Sequence, residues 1–496
     1  MARLVTLSRA AKLAGVSRGN LQKYIRDGAI QSFEGMVRLE DIARHFPALN
    51  ARPNDILETL QLIMDNAAIK ARNRTPSMPP DMETLVARVG ILSDELVESK
   101  LEISIFYNII DKLKSRLKQF AANHPDSTAD MRKLQGWLLS EVETIADKKF
   151  EQYPLVATDT ILRIVAAQVR LDPSGHEFLV EGSDSILEAG LSSGLALNYG
   201  CSNGNCGKCK ARIISGKVKK IRHHDYVLTE KDKLQGYILC CSNTAVTDLV
   251  LQAEEAGNEN DIPQQSITAW VRKITPLNDS IATLNIKTPR TQRLRFLAGQ
   301  TVSLEIAGIG SKIFHIASCP CDDMNLQIHF NRQANDAFSQ YLAKDLKPND
   351  TLNVEGPAGH FVLHEDEPNP IIYIAFNSGF APIKSLIEHA LTLDVTEHIQ
   401  LYWLVPEHDD LYMHNHCRSW ADAFEYLDYF PLCYATNDPV KTCIDELNKN
   451  NSTTGAITNH HIYIAGSDEE ITQTKNALLK QGIAEKSIFT ELVQSI

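Results

Sequence analysis

Cys201-Ser-Asn-Gly-Asn-Cys206-Gly-Lys-Cys209, answered further along by Gly236-Tyr-Ile-Leu-Cys-Cys241, decides the reading of this chain. Three cysteines spaced C-x4-C-x2-C, with a fourth beyond, suit a 2Fe-2S cluster, in which two thiolates hold each iron. A loop wrapped around an inorganic core wants small residues. Gly204 and Gly207 allow positive φ and bring backbone N–H groups toward the sulfurs, which stabilises the negative cluster. Structural zinc is the alternative; it favours paired Cys-x-x-Cys units, and Cys206 to Cys209 is the one such pair in this stretch.

Spacing leaves two neighbouring thiols, Cys240 and Cys241, for the fourth position. On a strand end adjacent side chains point opposite ways, so one of them faces the cluster. The stretch resembles the Gly-Tyr-x-Leu-x-Cys ending of ferredoxin modules. That resemblance places the ligands at Cys201, Cys206, Cys209 and Cys241, and leaves Cys240 as a small buried hydrophobe.

Ten cysteines in 496 residues, with no disulfide-like framework, read as ligands and buried thiols in a reducing compartment, and a cytoplasmic location is expected. No apolar run has the length to cross a bilayer, and Met1-Ala-Arg-Leu-Val does not open a secretion signal. The net charge of −12 argues against a nucleic-acid coat, yet residues 1–50 carry eight Lys or Arg against four Asp or Glu.

That basic end reads as helices over Ser8–Ala14 and Ser17–Asp27, a hairpin turning at Glu34-Gly35, and a third helix over Glu40–Phe46. The layout resembles the winged helix-turn-helix heads of MerR-type and excisionase-type proteins. The resemblance implies possible DNA contacts from Arg18, Asn20, Lys23 and Arg26 on the second helix. A protein-docking module is the other use of this layout. Farther on, Leu85, Val89, Leu92, Leu96, Ile103, Phe106, Ile110, Leu113 and Leu117 alternate by four and three, broken only at Ser99. Such a heptad seam predicts a homodimeric coiled coil over 85–117; the alternative is packing within the chain, on Met131 to Phe150.

The expected architecture is multidomain α+β. A helix-turn-helix head (1–50) leads to a helical, coiled-coil segment (51–160) and a β-grasp ferredoxin unit (161–252). A polar linker (Ala253–Gln265), an antiparallel β-barrel flavin domain (266–366) and an α/β parallel-sheet nucleotide domain (368–496) complete it.

Residues 266–496 resemble the ferredoxin-NADP reductase family, in particular oxygenase reductase components and CDP-6-deoxyglucoseen reductases with an N-terminal ferredoxin module. Phe296-Leu-Ala-Gly-Gln300 is similar to the strand ahead of the flavin motif, and Gly356-Pro-Ala-Gly-His-Phe361 to a Gly-Pro-x-Gly-x-Phe turn. The family's flavin motif, Arg-x-Tyr-Ser, aligns with Lys312-Ile-Phe-His315. Phe338-Ser339 resembles a second pyrophosphate contact at a helix N-terminus. The resemblance therefore implies FAD held by Lys312, Phe314, His315 and Ser339. Lysine lacks the arginine fork, and phenylalanine the phenol.

After the strand Pro370-Ile-Ile-Tyr-Ile-Ala-Phe376, Asn377-Ser-Gly-Phe-Ala-Pro382 resembles Gly-Thr-Gly-x-Ala-Pro, with Pro382 able to start a helix and Gly379 allowing a pyrophosphate close. His461-Ile-Tyr-Ile-Ala-Gly-Ser467 resembles the strand that ends in Cys-Gly-Pro, with Ala465 in place of the cysteine. The terminal Glu491-Leu-Val493 has Val493 where the family carries an aromatic. These alignments imply NAD(P)H contacts at Ser378, Gly379, Ala381, Pro382 and Gly466. The acidic Glu407, Asp409 and Asp410 favour NADH over NADPH.

Two readings follow. In one, electrons pass from NAD(P)H through FAD and the cluster to an electron-accepting partner protein such as an oxygenase. In the other, a redox-responsive DNA-binding regulator uses the same cofactors as its sensor. Cys319-Pro-Cys321 reads as buried thiols, since one intervening residue strains a disulfide. The pairs His223-His224 and His460-His461 read as surface or strand residues.

Overall fold

The computed structural model describes residues 4–46, 82–123, 137 and 166–493, apart from 15, 17, 27–28, 34–35, 182–183, 223–225, 257, 290–291, 365–368, 394–395, 397 and 452–456. The stretches expected as a flexible entry (75–80) and as an intrachain helix partner (131–150, save 137), and the pair His223-His224, lie outside the described residues.

The first unit runs β1 (Leu4–Thr6), α1 (Leu7–Ala14), α2 (Arg18–Arg26), β2 (Ser32–Phe33), β3 (Met36–Arg38) and α3 (Leu39–His45). The expected hairpin is β2–β3, and the strand β1, which the sequence reading missed, adds to its other side. Leu13, Leu21, Ile30, Val37 and Ile42 form its core, with Val16 packed against it. Next comes α4 (Met82–Asn123), a single helix of 42 residues. It has no proline to break it, and at 1.5 Å per residue it spans roughly 63 Å.

A five-stranded sheet follows, ordered β5-β4-β10-β6-β8. Its elements are β4 (Ala166–Asp172), β5 (Glu177–Glu181), α5 (Ile186–Ser192), β6 (Lys210–Ser215), β7 (Val218–Lys220), α6 (Glu230–Leu234), β8 (Tyr237–Leu239), β9 (Asn243–Ala245) and β10 (Leu249–Gln252). Ser185 caps α5 by accepting from the Glu188 amide, the role its hydroxyl suits. β10 runs parallel to β4, so the last strand returns beside the first.

The expected linker after β10 is stitched down. Leu197 bridges to Glu255, Ala256 donates to the Ala196 carbonyl, and Glu259 pairs with His360. Beyond it lies an antiparallel sheet ordered β14-β13-β16-β11-β12-β15, formed by β11 (Gln265–Pro276), β12 (Ile281–Lys287), β13 (Thr301–Ile306), β14 (Gly310–His315), β15 (Asn325–Asn331), α7 (Ala337–Lys344) and β16 (Thr351–Ala358). An antiparallel bridge from Ile316 to Ile328 joins its two edges. Two local expectations change. Residues 296–300 are irregular, because a Leu297–Gln300 turn ends the segment ahead of β13. Gly356 to Ala358 continue β16 instead of turning.

The last unit is a parallel sheet ordered β19-β18-β17-β20-β21. It contains β17 (Ile371–Phe376), α8 (Phe380–Leu393), β18 (Ile399–Val405), α9 (His414–Ala423), β19 (Leu427–Cys433), α10 (Pro439–Asn451), β20 (His461–Gly466), α11 (Asp468–Lys480) and β21 (Ile488–Leu492). Every residue of β17, β18 and β20 is buried, as strands covered on both faces require.

The N-terminal parts are fastened to the five-stranded sheet. The Arg9 guanidinium pairs with Asp248 at 2.9 Å, and Gln168 donates to Thr6. Arg88 of α4, 1% exposed, donates to the carbonyls of Ala245 (3.0 Å) and Val180 (3.4 Å). Beyond this anchor α4 leaves its apolar side chains open: Leu96 is 54% and Phe106 61% exposed. Val97, Leu101 and Ile105 widen that apolar face past a single seam. Among the described residues no helix is long and apolar enough to cross a membrane.

Candidate functional site

The cysteine loop leaves Tyr199 and closes on β6. Gly204 and Gly207 have φ of +87° and +74°, a region glycine enters without the Cβ clash. The four sulfurs fall into two pairs. The amide of Cys201 donates to the Cys206 sulfur and that of Cys206 to the Cys201 sulfur, both at 3.2 Å. The sulfurs of Cys209 and Cys241 lie 3.3 Å apart. Two pairs of thiols match two irons with two protein ligands each.

Cys240 and Cys241 sit on a 3-10 turn, Cys240–Ser242, directly after β8, and not on the expected strand end. Successive side chains there diverge by a third of a turn. The contact with Cys209 and a hydrogen bond from the Gly204 amide draw the Cys241 thiol down to about 6, against burial. Burial, helped by the neighbouring Cys241 charge, pushes Cys240 up to about 12, the behaviour of an inert buried thiol. At Cys201 burial opposes ionisation, but hydrogen bonds from the Asn203 backbone and from Cys206 prevail and lower the thiol.

The four residues expected around FAD come together at the end of β14. Lys312 Nζ is 2.8 Å from Asp336 and 2.9 Å from the Ser339 hydroxyl. Phe314 is buried beside Phe338, with centroids 5.9 Å apart. His315 Nε2 meets Glu491 at 2.9 Å. Ser339 lies third in α7, not before it, and its amide donates to the capping Asp336. A cation, a hydroxyl and open helix amides are the donors a pyrophosphate takes. Asp336 now takes them. Burial raises its carboxyl, but bonds from Lys312 and Ser339 outweigh that and bring it to about 2. The donor set fits the cofactor's phosphates; the carboxylate competes for it.

At the strand ends of the parallel sheet, Ser378, Gly379, Ala381, Pro382 and Gly466 gather where β17 and β20 meet α8. A 3-10 turn, Asn377–Gly379, precedes α8, so Pro382 is its third residue and not its first. Gly379 serves a different approach from the expected one: a Cβ there would lie 2.2 Å from the Ala465 carbonyl oxygen. Asn377, with φ +51°, is held by Tyr434 and Glu470. Trp403 stacks on Phe380 at 3.8 Å and donates to the Asn377 carbonyl. Glu407, Asp409 and Asp410 share one capped turn after β18. Val493 is buried in the sheet's core, its amide bonded to Gly466. The cysteines of Cys319-Pro-Cys321 are both unbridged; Cys319 is buried as expected, but Cys321 is only half-buried.

Sequence reasoning missed Asp336, Glu470 and Asn377. An Asp placed three residues before Ser339 signals an N-cap, but only the fold shows that Lys312 reaches it.

Residues 169–246 match the 2Fe-2S iron-sulfur cluster binding domain family, and residues 268–363 the oxidoreductase FAD-binding domain family. The CDP-6-deoxy-L-threo-D-glycero-4-hexulose-3-dehydrase reductase of Yersinia pestis is 29% identical over 335 residues, 66% of this chain and 98% of its own length. The reductase component of phenol 2-monooxygenase from a Pseudomonas species is 26% identical over 331 residues, 65% of this chain and 93% of its own. Reductase component 1 of terephthalate 1,2-dioxygenase from a Comamonas species is 23% identical over 329 residues, covering 66% and 96%. The chain thus carries a 2Fe-2S cluster binding domain followed by an oxidoreductase FAD-binding domain, and it is a homologue of these reductases.

Proposed function

We propose that the protein is an iron-sulfur flavoprotein reductase that passes electrons from NAD(P)H through FAD and a 2Fe-2S cluster to a partner protein such as an oxygenase. The observation that carries this is the pairing of Cys201 with Cys206 and of Cys209 with Cys241. These four hold the cluster. Lys312 and Ser339 would bind the FAD pyrophosphate, Phe314 would supply an apolar wall, and His315, oriented by Glu491, would contact the cofactor. Ser378, Gly379, Ala381, Pro382 and Gly466 form the nucleotide crevice. The acidic turn at Glu407, Asp409 and Asp410 repels a 2′-phosphate and favours NADH. When bound, FAD accepts a hydride as an electron pair and releases the electrons singly, which the cluster requires. Anaerobic protein mixed with NADH bleaches its flavin and cluster bands and then reduces a cytochrome or dye; flavin-free protein with no such activity contradicts the reading.

Asp336→Asn keeps the helix cap but removes the competing charge. FAD affinity, read by fluorescence titration, rises about tenfold, about 1.4 kcal/mol. Weaker or unchanged binding contradicts the placement of the pyrophosphate.

A second reading, a redox-responsive DNA-binding regulator, draws support from the segment after Cys241. Within a few residues it contacts α4 through Ala245 and the head through Asp248. The proposed DNA contacts are Arg18, Asn20, Lys23 and Arg26 of α2. The side chains of Asn20, Lys23 and Arg26 lie outside the described residues. A homodimer through 85–117 would cover the exposed Leu96 and Phe106. With both changed to Asp, light scattering shows the mass fall from dimer to monomer; a monomeric unaltered protein contradicts the seam.

A further inference from the structure

Around Cys201 the five-stranded unit and the barrel are joined by a run of polar contacts that begins and ends on the cysteine loop. Tyr199, two residues before Cys201, donates its hydroxyl to Asp323 of the barrel. Asp323 accepts from Arg293 at 3.2 Å, and both side chains are under one-tenth exposed. Arg293 reaches Glu188 of α5 at 3.7 Å, Glu188 meets Arg222 at 3.5 Å, and Arg222 donates to the carbonyl of Ser202, the residue after Cys201. Arg295 lies over the Tyr199 ring, 5.6 Å from its centroid, and Thr288 donates to the Asp323 carbonyl.

Burying charges across a seam between two units is costly unless each is paired, and a packed hydrophobic seam would hold the units together without that cost. A ring of directed hydrogen bonds closed by an ion pair between Arg293 and Glu188 adds orientation, because the short bonds are lost when the loop turns or slides. The ring lies close in sequence to the residues proposed for FAD: β14, which carries Lys312, Phe314 and His315, ends at His315, and a 3-10 turn, Pro320–Asp322, then leads to Asp323.

We propose that Tyr199, Asp323, Arg293, Glu188 and Arg222 are positioning residues that clamp the Cys201 side of the cluster loop against the flavin barrel and so set the rate of electron passage between them. This rests on the reductase reading above. The transfer moves one electron from the flavin to the cluster, oxidising the first and reducing the second, with no bond made or broken between them. Carriers held in fixed register exchange electrons faster than carriers that must first dock, and small misplacements are expensive.

The test compares full-length unaltered protein with Asp323→Asn, Tyr199→Phe and the milder, half-exposed Arg222→Gln. In stopped flow, with the flavin reduced by NADH or photochemically, cluster reduction slows by at least roughly tenfold in Asp323→Asn and Tyr199→Phe. The rate of flavin reduction and the oxidised cluster spectrum stay as in the unaltered protein. Hydrogen exchange of residues 197–203 speeds up in the same variants, whether or not the cofactors are loaded. An unchanged electron-transfer rate together with unchanged exchange overturns the clamp. If unaltered protein holds no flavin or no cluster, the reductase reading fails, and the exchange measurement still decides whether the ring fixes the loop. Should Asp323→Asn fail to fold, Tyr199→Phe and Arg222→Gln carry the same prediction.

Discussion

Serine in place of Cys241 abolishes the visible absorption and paramagnetic signal of the cluster, while serine in place of Cys240 leaves both intact. The two residues are neighbours with opposite surroundings. The Cys241 sulfur lies 3.3 Å from that of Cys209 and receives the Gly204 amide, and its thiol is drawn down to about 6. Cys240 lies in the core of the five-stranded unit with its thiol pushed up by burial. Only Cys241 stands against the Cys209 sulfur, so only it is placed to share an iron with Cys209. Loss of a direct ligand exceeds the roughly 100-fold that changes to outer partners reach, so electron delivery to an external acceptor falls by more than that. A Cys240→Ser protein that loses its cluster would reverse the assignment.

Methionine in place of Lys384 gives the largest expected loss of stability. Lys384 sits on α8 with its side chain 2% exposed. Its ammonium donates to the Ala317 carbonyl (2.9 Å) and Gln327 (3.2 Å) of the barrel and to Glu388 (2.7 Å) on its own helix. It therefore ties the barrel to the parallel-sheet unit. Removing one partner of a buried pair strands the other, at about 3–5 kcal/mol. In urea unfolding the free energy of the transition that separates these two units falls by that amount, and its midpoint moves to lower denaturant; adding Glu388→Gln recovers part of it.

The same pair sets a pH dependence. Burial raises the Glu388 carboxyl, but the Lys384 ammonium and the nearby His416 ring, 3.7 Å away, outweigh it, leaving the group below the ordinary carboxylate range. A depressed acid contributes stability above its unfolded value, about 4.3 for glutamate, and that contribution is lost as pH falls from there through the lowered folded value. Stability of unaltered protein therefore declines below pH 4.3 more steeply than that of Glu388→Gln.

Much of the site was legible because its information is local. Four cysteines and two glycines in a short span suit a cluster loop whatever surrounds it, and the Lys312 to His315 strand carries three of the residues proposed to hold FAD. The unbroken apolar run of β17 announces a strand covered on both faces. What stayed hidden depends on pairs far apart in sequence. Tyr199 meets Asp323 across 124 positions and Arg9 contacts Asp248 across 239; neither residue has a local pattern that names its partner. Asp336 reads as an ordinary helix cap until Lys312 is found beside it. Polarity misled at Ala253–Gln265, where charged residues suggested a loose linker yet pair with His176 and His360 on the adjacent units.

The most direct measurement is the iron and acid-labile sulfide content of protein purified without oxygen, read alongside its visible spectrum. About two irons and two sulfides per chain, with the spectrum of a 2Fe-2S centre, is the expected result. Colourless protein, or protein carrying one zinc per chain and no sulfide, would contradict it.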